Sequence, residues 1–258
     1  MADIETPAVV LVRADNPGPF TLEGTNTWLV GRDPCWIVDP GPALAAHVEA
    51  VAAAAAEQGG CAGIVLTHDH DDHAGGIAEL AARLGGDVPV FAVRAPAANE
   101  RITDGDLIGP FEVLATPGHA PDHVAFRAGR ALFSGDAVLG RGSVFVAPDP
   151  GALRGYLEAL ERLQAIELDA IHPGHGPLID DPAAKLREYR EHRLARERRL
   201  LEALDGGLRT IDDLLDAAWS EIPQQLRLAA AVTLAAHLGK LDDEGRLPGG
   251  VERPSGWS

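Results

Sequence analysis

The sequence predicts an α/β fold: two β-sheets packed as a sandwich and covered by helices, followed by a small helical module. Three observations carry this. Short apolar runs are separated by turns near the N-terminus and by helical stretches further on, the order expected of sheets with helices layered on them. Several of these runs lead through glycine to a histidine or aspartate, and strand ends are where such sheets place their chemistry. The chain of 258 residues is 46% hydrophobic, enough for one large core with an appendage.

Val9 to Val12, Thr27 to Val30 and Cys35 to Val38 read as strands between Gly, Pro and Asn turns, and Asp39-Pro40-Gly41 ends the third. Ala43 to Glu57 is an alanine-rich helix, Ile64 to Leu66 a buried strand, and Gly75 to Leu84 a second helix. Pro89 to Val93, Asp106 to Ile108, Phe111 to Ala115, His123 to Arg127 and Arg130 to Phe133 continue the strands. A helix over Leu153 to Gln164 precedes the strand Leu168 to Ile171. Residues 1–180 are thus expected to form the main domain, and 181–258 a helical linker with a terminal module.

That second part opens with a helix from Pro182 to Leu204. Its stretch from Lys185 to Arg199 holds seven Lys/Arg against three Glu. Such charge runs are usually solvated faces laced with i,i+4 pairs, and that reading is favoured over an anion-binding helix. Beyond Gly206-Gly207, Thr210 is placed to cap a helix over Ile211 to Trp219, and Pro223 opens one over Gln224 to Leu241. Gly245 to Gly250 has the composition of a hairpin or wing. The outline is that of a winged-helix module, yet residues 205–258 carry five Lys/Arg against nine Asp/Glu, and Leu228 to Leu238 offers almost no donor to DNA. DNA readers carry basic faces. Packing, dimerisation or shaping of the active-site rim is the expected role.

The chemistry is concentrated in Thr67-His68-Asp69-His70-Asp71-Asp72-His73, directly after Gly63-Ile64-Val65-Leu66. Imidazole and carboxylate suit zinc and its borderline neighbours. His68 and His70, two apart in extended backbone, point the same way, whereas Asp72 and His73 fall where a helix begins and are free to serve a second ion. Three later strand ends add His119 (in Thr116-Pro117-Gly118-His119), Asp136 (after Ser134-Gly135) and His175 (in His172-Pro173-Gly174-His175). Seven candidate ligands result, five imidazoles and two carboxylates.

The net charge of -17 repels polyanions at long range, which disfavours nucleic acid as a substrate; bound divalent cations reverse that sign locally. No apolar run approaches the length of a membrane span, and Met1 to Pro7 lacks the basic and apolar regions of a secretory signal. Cys35 and Cys61 match no ligand spacing and read as buried free thiols, consistent with a cytoplasmic location. There is no G-x-S-x-G, no P-loop and no cysteine beside a ligand histidine.

Thr67-His-x-His-x-Asp-His73, His119, Asp136 and His175, preceded by Asp39 at a strand end, resemble the motifs of the metallo-β-lactamase superfamily. Asn16 to Thr21, Gly24-Thr25-Asn26-Thr27, Thr116 to His119 and the winged tail resemble the beta-lactamase-like-protein-2 group within it. The resemblance implies a four-layer αβ/βα sandwich with two zinc ions, manganese or iron being the alternatives. His68, His70 and His119 would hold the first ion, Asp72, His73 and His175 the second, with Asp136 bridging. Asp136 and Asp72 are the carboxylates assigned to catalysis, and Asp136 has a secondary role relaying a proton to the leaving group. Asp39 would accept a hydrogen bond from a ligand imidazole.

The group's activity, endonucleolytic cleavage of single-stranded RNA, is the first functional expectation. The alternative is hydrolysis of a small carboxyl derivative: a glutathione thioester, lactone or β-lactam. Arg141 and Ser143, just past Asp136, are the candidates for contacting substrate anions. His123, four residues after His119, is a candidate for substrate contact or for steadying the loop, the second being favoured. A homodimer is compatible with this reading, and no membrane partner is expected.

Overall fold

The computed structural model describes residues 6–96 and 98–254; the start of the N-terminal stretch read above as lacking a secretory signal lies outside them. The chain divides into two compact units. One comprises Met1–Thr116, Asp122–Gly142 and Glu167–Pro182, and the other Pro117–Pro121, Ser143–Ile166 and Ala183–Ser258.

Among the described residues, the first unit holds two sheets. One has the strand order β1 (Val9–Arg13), β2 (Asn26–Val30), β3 (Cys35–Val38), β4 (Cys61–Val65), β5 (Val90–Ala92), β6 (Glu100–Arg101). The first two pairings are antiparallel and the rest parallel. The other runs β11 (Ala170–Pro173), β10 (Ala131–Gly135), β9 (Val124–Ala128), β8 (Phe111–Ala115), β7 (Leu107–Ile108), with only β10 and β11 parallel.

Successive side chains of a strand point to opposite faces, and the first sheet uses both. Leu29, Ile37 and Ile64 pack with Val48 and Val51 of helix α1 (Ala45–Glu57) and with Ile77 and Leu80 of α3 (Ile77–Arg83). Trp28, Val30, Val38 and Val65 instead pack with Phe111, Val113, Phe126 and Phe133 of the second sheet. The predicted α/β class is what the structure shows.

One local difference from the expected elements has an identifiable cause. The helix expected from Gly75 is two pieces, α2 (Asp71–Ala74) and α3, broken at Gly75-Gly76. There the backbone comes so close to the 40–43 turn that a Cβ on Gly76 would lie 3.1–3.3 Å from the carbonyl oxygens of Gly41, Pro42 and Pro40. Cys35 is buried, as expected, but Cys61 is only half-buried; both are free.

The second unit contains α4 (Ala152–Gln164), α5 (Pro182–Asp205), α6 (Ile211–Ala218) and α7 (Arg227–Asp243). Leu200, Leu204, Leu214, Trp219, Leu234 and Leu238 form its core. Thr210 caps α6, its hydroxyl accepting from the Asp213 amide at 3.2 Å. The Gly245–Gly250 segment contains no strand among the described residues; its continuation docks through a bond from the Glu252 amide to the Arg209 carbonyl, 2.8 Å. The basic helix also departs from a purely solvated face. Arg193 and Arg196 are buried, and the Arg196 guanidinium covers the Trp219 ring at 5.0 Å while donating to Glu221 and the Ala218 carbonyl. No helix among the described residues is long and apolar enough to cross a membrane.

Candidate metal centre

The parallel strands deliver their chemistry at their C-terminal ends. Asp39 follows β3, Thr67 to His73 follow β4, Asp136 follows β10 and His175 follows β11. Three bonds tie these ends together: the Asp39 amide to the Val65 carbonyl at 3.0 Å, the Val124 amide to the Thr67 carbonyl at 2.8 Å, and the Gly174 amide to the Gly135 carbonyl at 2.9 Å.

Among the described residues, two sets of three donors lie in the first unit. His68, His73 and Asp136 each offer one atom within 4.8 Å of the others, and so do Asp72, His73 and His175. His73 Nε2 is 3.2 Å from His175 Nε2. Asp136 Oδ1 lies 3.5 Å from the first of these nitrogens and 3.4 Å from the second, and Asp72 Oδ2 lies 3.6 and 3.2 Å from them. His68 Nε2 faces His70 Nδ1 at 2.9 Å. His119 is buried on the Pro117–Pro121 segment of the second unit, its Nδ1 3.4 Å from the Phe145 carbonyl oxygen.

Supporting bonds set which nitrogens face the centre. Asp39, at a left-handed φ of 52°, accepts from the Thr67 amide and hydroxyl, both at 2.8 Å, and from His73 Nδ1 at 2.9 Å. Because the Thr67 hydroxyl donates to Asp39, its oxygen is left to accept from His68 Nδ1 at 3.0 Å. In the neutral imidazoles, protons on both Nδ1 atoms leave both Nε2 atoms as bases, the arrangement a ligating imidazole requires.

The electrostatics suit a cation. Burial opposes a charge on His73, but the carboxylates of Asp136 and Asp39 outweigh it and hold its pKa well above the usual value. Burial likewise opposes the charge on His175, yet Asp136 and Asp72 lift it to about 9. Burial also works against the Asp136 and Asp72 anions, and the facing histidines prevail and hold both below the usual carboxylate range. Protons drawn onto imidazoles by buried carboxylates occupy the role that a divalent ion fills with neutral imidazoles. Gly174 preserves the space, since a Cβ there would lie 2.7 Å from both Asp136 Oδ1 and His73 Cε1. The donor set therefore fits divalent metal.

The remaining sequence candidates are placed differently. His123 is buried, its Nδ1 2.7 Å from the Thr116 hydroxyl and its Nε2 accepting from the Asp136 amide at 3.0 Å, so it braces the backbone of Asp136. Arg141 is exposed and paired with Glu23. Ser143 donates to the Val144 carbonyl at 3.4 Å. Asp69 is half-buried, and its amide donates to Asp122 at 3.2 Å.

Asn26, part of the Gly24-Thr25-Asn26-Thr27 resemblance, has a supporting role that sequence reasoning does not assign. Its Nδ2 donates to the carbonyls of Pro173 (3.0 Å) and Gly176 (2.9 Å), and its amide to Gly174 (2.8 Å), so it clamps the His175 loop. The signal available in sequence is a polar Gly24-Thr25-Asn26-Thr27 run leading into an apolar strand.

Comparison with known proteins gives the same picture. The profile of the metallo-beta-lactamase superfamily matches residues 20–108 and 94–175, and that of the beta-lactamase associated winged helix domain matches 210–248. A Beta-lactamase-like protein 2 homolog from Caenorhabditis elegans is 34% identical over 92% of this chain and 85% of its own length. An atrochrysone carboxyl ACP thioesterase from Aspergillus chevalieri is 33% identical over 86% of this chain and 76% of its own. The crystal structure of a metallo-beta-lactamase family protein from Thermus thermophilus superposes with a TM-score of 0.74 at 26% identity, covering 92% of this chain and 94% of that one.

Proposed function

This chain belongs to the metallo-beta-lactamase superfamily and is a hydrolase of that class, and we propose that it is a dinuclear zinc phosphodiesterase cleaving single-stranded RNA. The observation that carries the dinuclear part is the position of Asp136 Oδ1, 3.5 Å from His73 Nε2 and 3.4 Å from His175 Nε2, with His68 in a donor set that also contains Asp136. His73 and His175 would hold the second ion and His68 the first, so a carboxylate within reach of all three would serve both. His68, His70 and His119 are assigned to the first, Asp72, His73 and His175 to the second, and Asp136 to both; the place of His119 rests on the superfamily motif. Two zinc ions supply a hydroxide at neutral pH and a Lewis acid for the developing charge.

The chain's own residues do the rest. Asp39 and Thr67 orient the imidazoles of His73 and His68, and His123 steadies the backbone of Asp136. The low pKa of Asp136 keeps it anionic, which suits a bridging ligand better than a proton donor. The RNA reading rests on the likeness to the beta-lactamase-like-protein-2 group. A second reading, hydrolysis of a thioester, is favoured by the similarity to the Aspergillus thioesterase and by the net charge of -17, which repels a polyanion.

The deciding experiment assays zinc-loaded full-length protein on single-stranded RNA, a glutathione thioester, an acyl-homoserine lactone and a chromogenic β-lactam, with Asp136→Ala as control. RNA cleavage lost in the variant is the expected result. Thioester or lactone turnover without RNA cleavage overturns the assignment, and protein that binds no zinc overturns the metal reading itself.

A further inference from the structure

The second unit contains a chain of contacts ending on His119. The strip 143–147, which has no regular secondary structure, lies directly on the Pro117–Pro121 segment: the Ala147 amide donates to the Gly118 carbonyl at 2.7 Å. The Phe145 ring packs against the His119 ring with centroids 4.5 Å apart. The Phe145 carbonyl can only accept, so it places the proton on His119 Nδ1 and leaves Nε2 as the basic nitrogen.

A strip outside any helix or sheet has no regular partners for its backbone groups, and two buried side chains from the C-terminal helices supply them on either side of Phe145. Arg193 of α5 donates to the Val144 carbonyl, and its guanidinium covers the ring of Tyr156 at 5.3 Å. Tyr156 packs so tightly on Gly118 that a Cβ there would lie 2.6 Å from the tyrosine Cβ. Thr233 of α7 accepts from the Val146 amide at 3.3 Å while donating to the Ala229 carbonyl at 3.3 Å. Both residues are about as buried as core aliphatics, Arg193 3% and Thr233 3% exposed, which is costly for polar groups; Arg193 spends Nη2 on the Val144 carbonyl while its Nε has no hydrogen-bond partner among the described residues.

We propose that Arg193 and Thr233 are positioning residues for the metal centre: by fixing the carbonyl of Phe145 they set the tautomer and aim of His119. Neither touches the reacting atoms. The inference rests on the reading of His119 as a ligand of the first ion, and it gives the C-terminal helices a part in metal affinity in addition to any part in binding substrate.

The test is zinc competition against a chromophoric chelator on the full chain, with thermal melting in parallel. His119→Ala is expected to weaken one of the two ions. Thr233→Val, which keeps shape but removes the acceptor, is expected to weaken that same ion about 10- to 100-fold and leave the other unchanged, and Thr233→Ser is expected to restore it. In the His119→Ala background, Thr233→Val should have no further effect on zinc. Arg193→Lys, which keeps the charge but loses the planar fork, is the second probe should Thr233→Val fail to fold, with the same ion expected to weaken. If His119→Ala loses an ion but Thr233→Val or Arg193→Lys weakens both ions equally or neither, the positioning role is overturned while the ligand reading stands. If His119→Ala keeps both ions tightly, the ligand reading falls and this inference with it.

Discussion

Asp39 and His73 are joined by a 2.9 Å hydrogen bond between Oδ2 and Nδ1, and the same carboxylate reaches His68 through the Thr67 hydroxyl. One buried acid at a left-handed φ thus orients two imidazoles from two directions. Such outer partners typically carry about 10- to 100-fold in metal affinity.

Asp39→Ala is expected to lower zinc affinity by about that factor, measured by chelator competition, and to reduce turnover in proportion to the lost metal. Asp39→Asn keeps an acceptor oxygen and should fall between the two. Wild-type affinity in Asp39→Ala would contradict the orienting role.

Asn26→Ala removes the clamp on the His175 loop; the Pro173 carbonyl keeps the Trp28 indole N–H at 3.0 Å, whereas the Gly176 carbonyl loses its Asn26 donor. A buried acceptor that loses its partner costs about 1–3 kcal/mol, so urea unfolding should show a loss of that size. Zinc binding should weaken as well, because the loop carries His175.

Gly174→Ala puts a methyl 2.7 Å from Asp136 Oδ1 and His73 Cε1. Overpacking of this kind costs about 1–3 kcal/mol, and here it also displaces ligands, so both melting temperature and zinc content should drop. Gly239→Ala, in α7 with open space around its Cβ, is the contrasting control and should stabilise by up to about 1 kcal/mol.

Burial lowers the pKa of His172 from 6.5 to about 4; its ring stacks on Phe133 at 4.8 Å and meets Trp28 edge-on at 4.6 Å. The unfolded chain therefore binds the extra proton first. The stability this neutral histidine contributes is complete above pH 6.5 and is lost as pH falls from 6.5 toward 4, by at most about 3 kcal/mol. Replacement by Phe should flatten that part of the stability profile, followed by denaturant unfolding of the apoprotein at about pH 5 and about pH 7.5, on either side of the ordinary histidine range. An unchanged slope would show that other groups set it.

The candidate donors and their positions along the chain are legible in the amino-acid order alone. An apolar strand leading to a histidine or aspartate is a local pattern, readable because strand period and turn chemistry act over a few residues. His68, His73, Asp72, Asp136 and His175 can therefore be named from it, and with them the metal-dependent hydrolase class. What holds those residues is settled only by folding. Asn26 bonds to a carbonyl 147 positions away, Asp39 to an imidazole and an amide on the loop after the next strand, and Arg193 and Thr233 to a strip between them and His119. Arg193 shows the limit most clearly. In sequence it is one of seven cations on a charged helix, and only packing against Tyr156 and Val144 takes it out of water, since burial of a charge depends on partners that distant parts of the chain must bring.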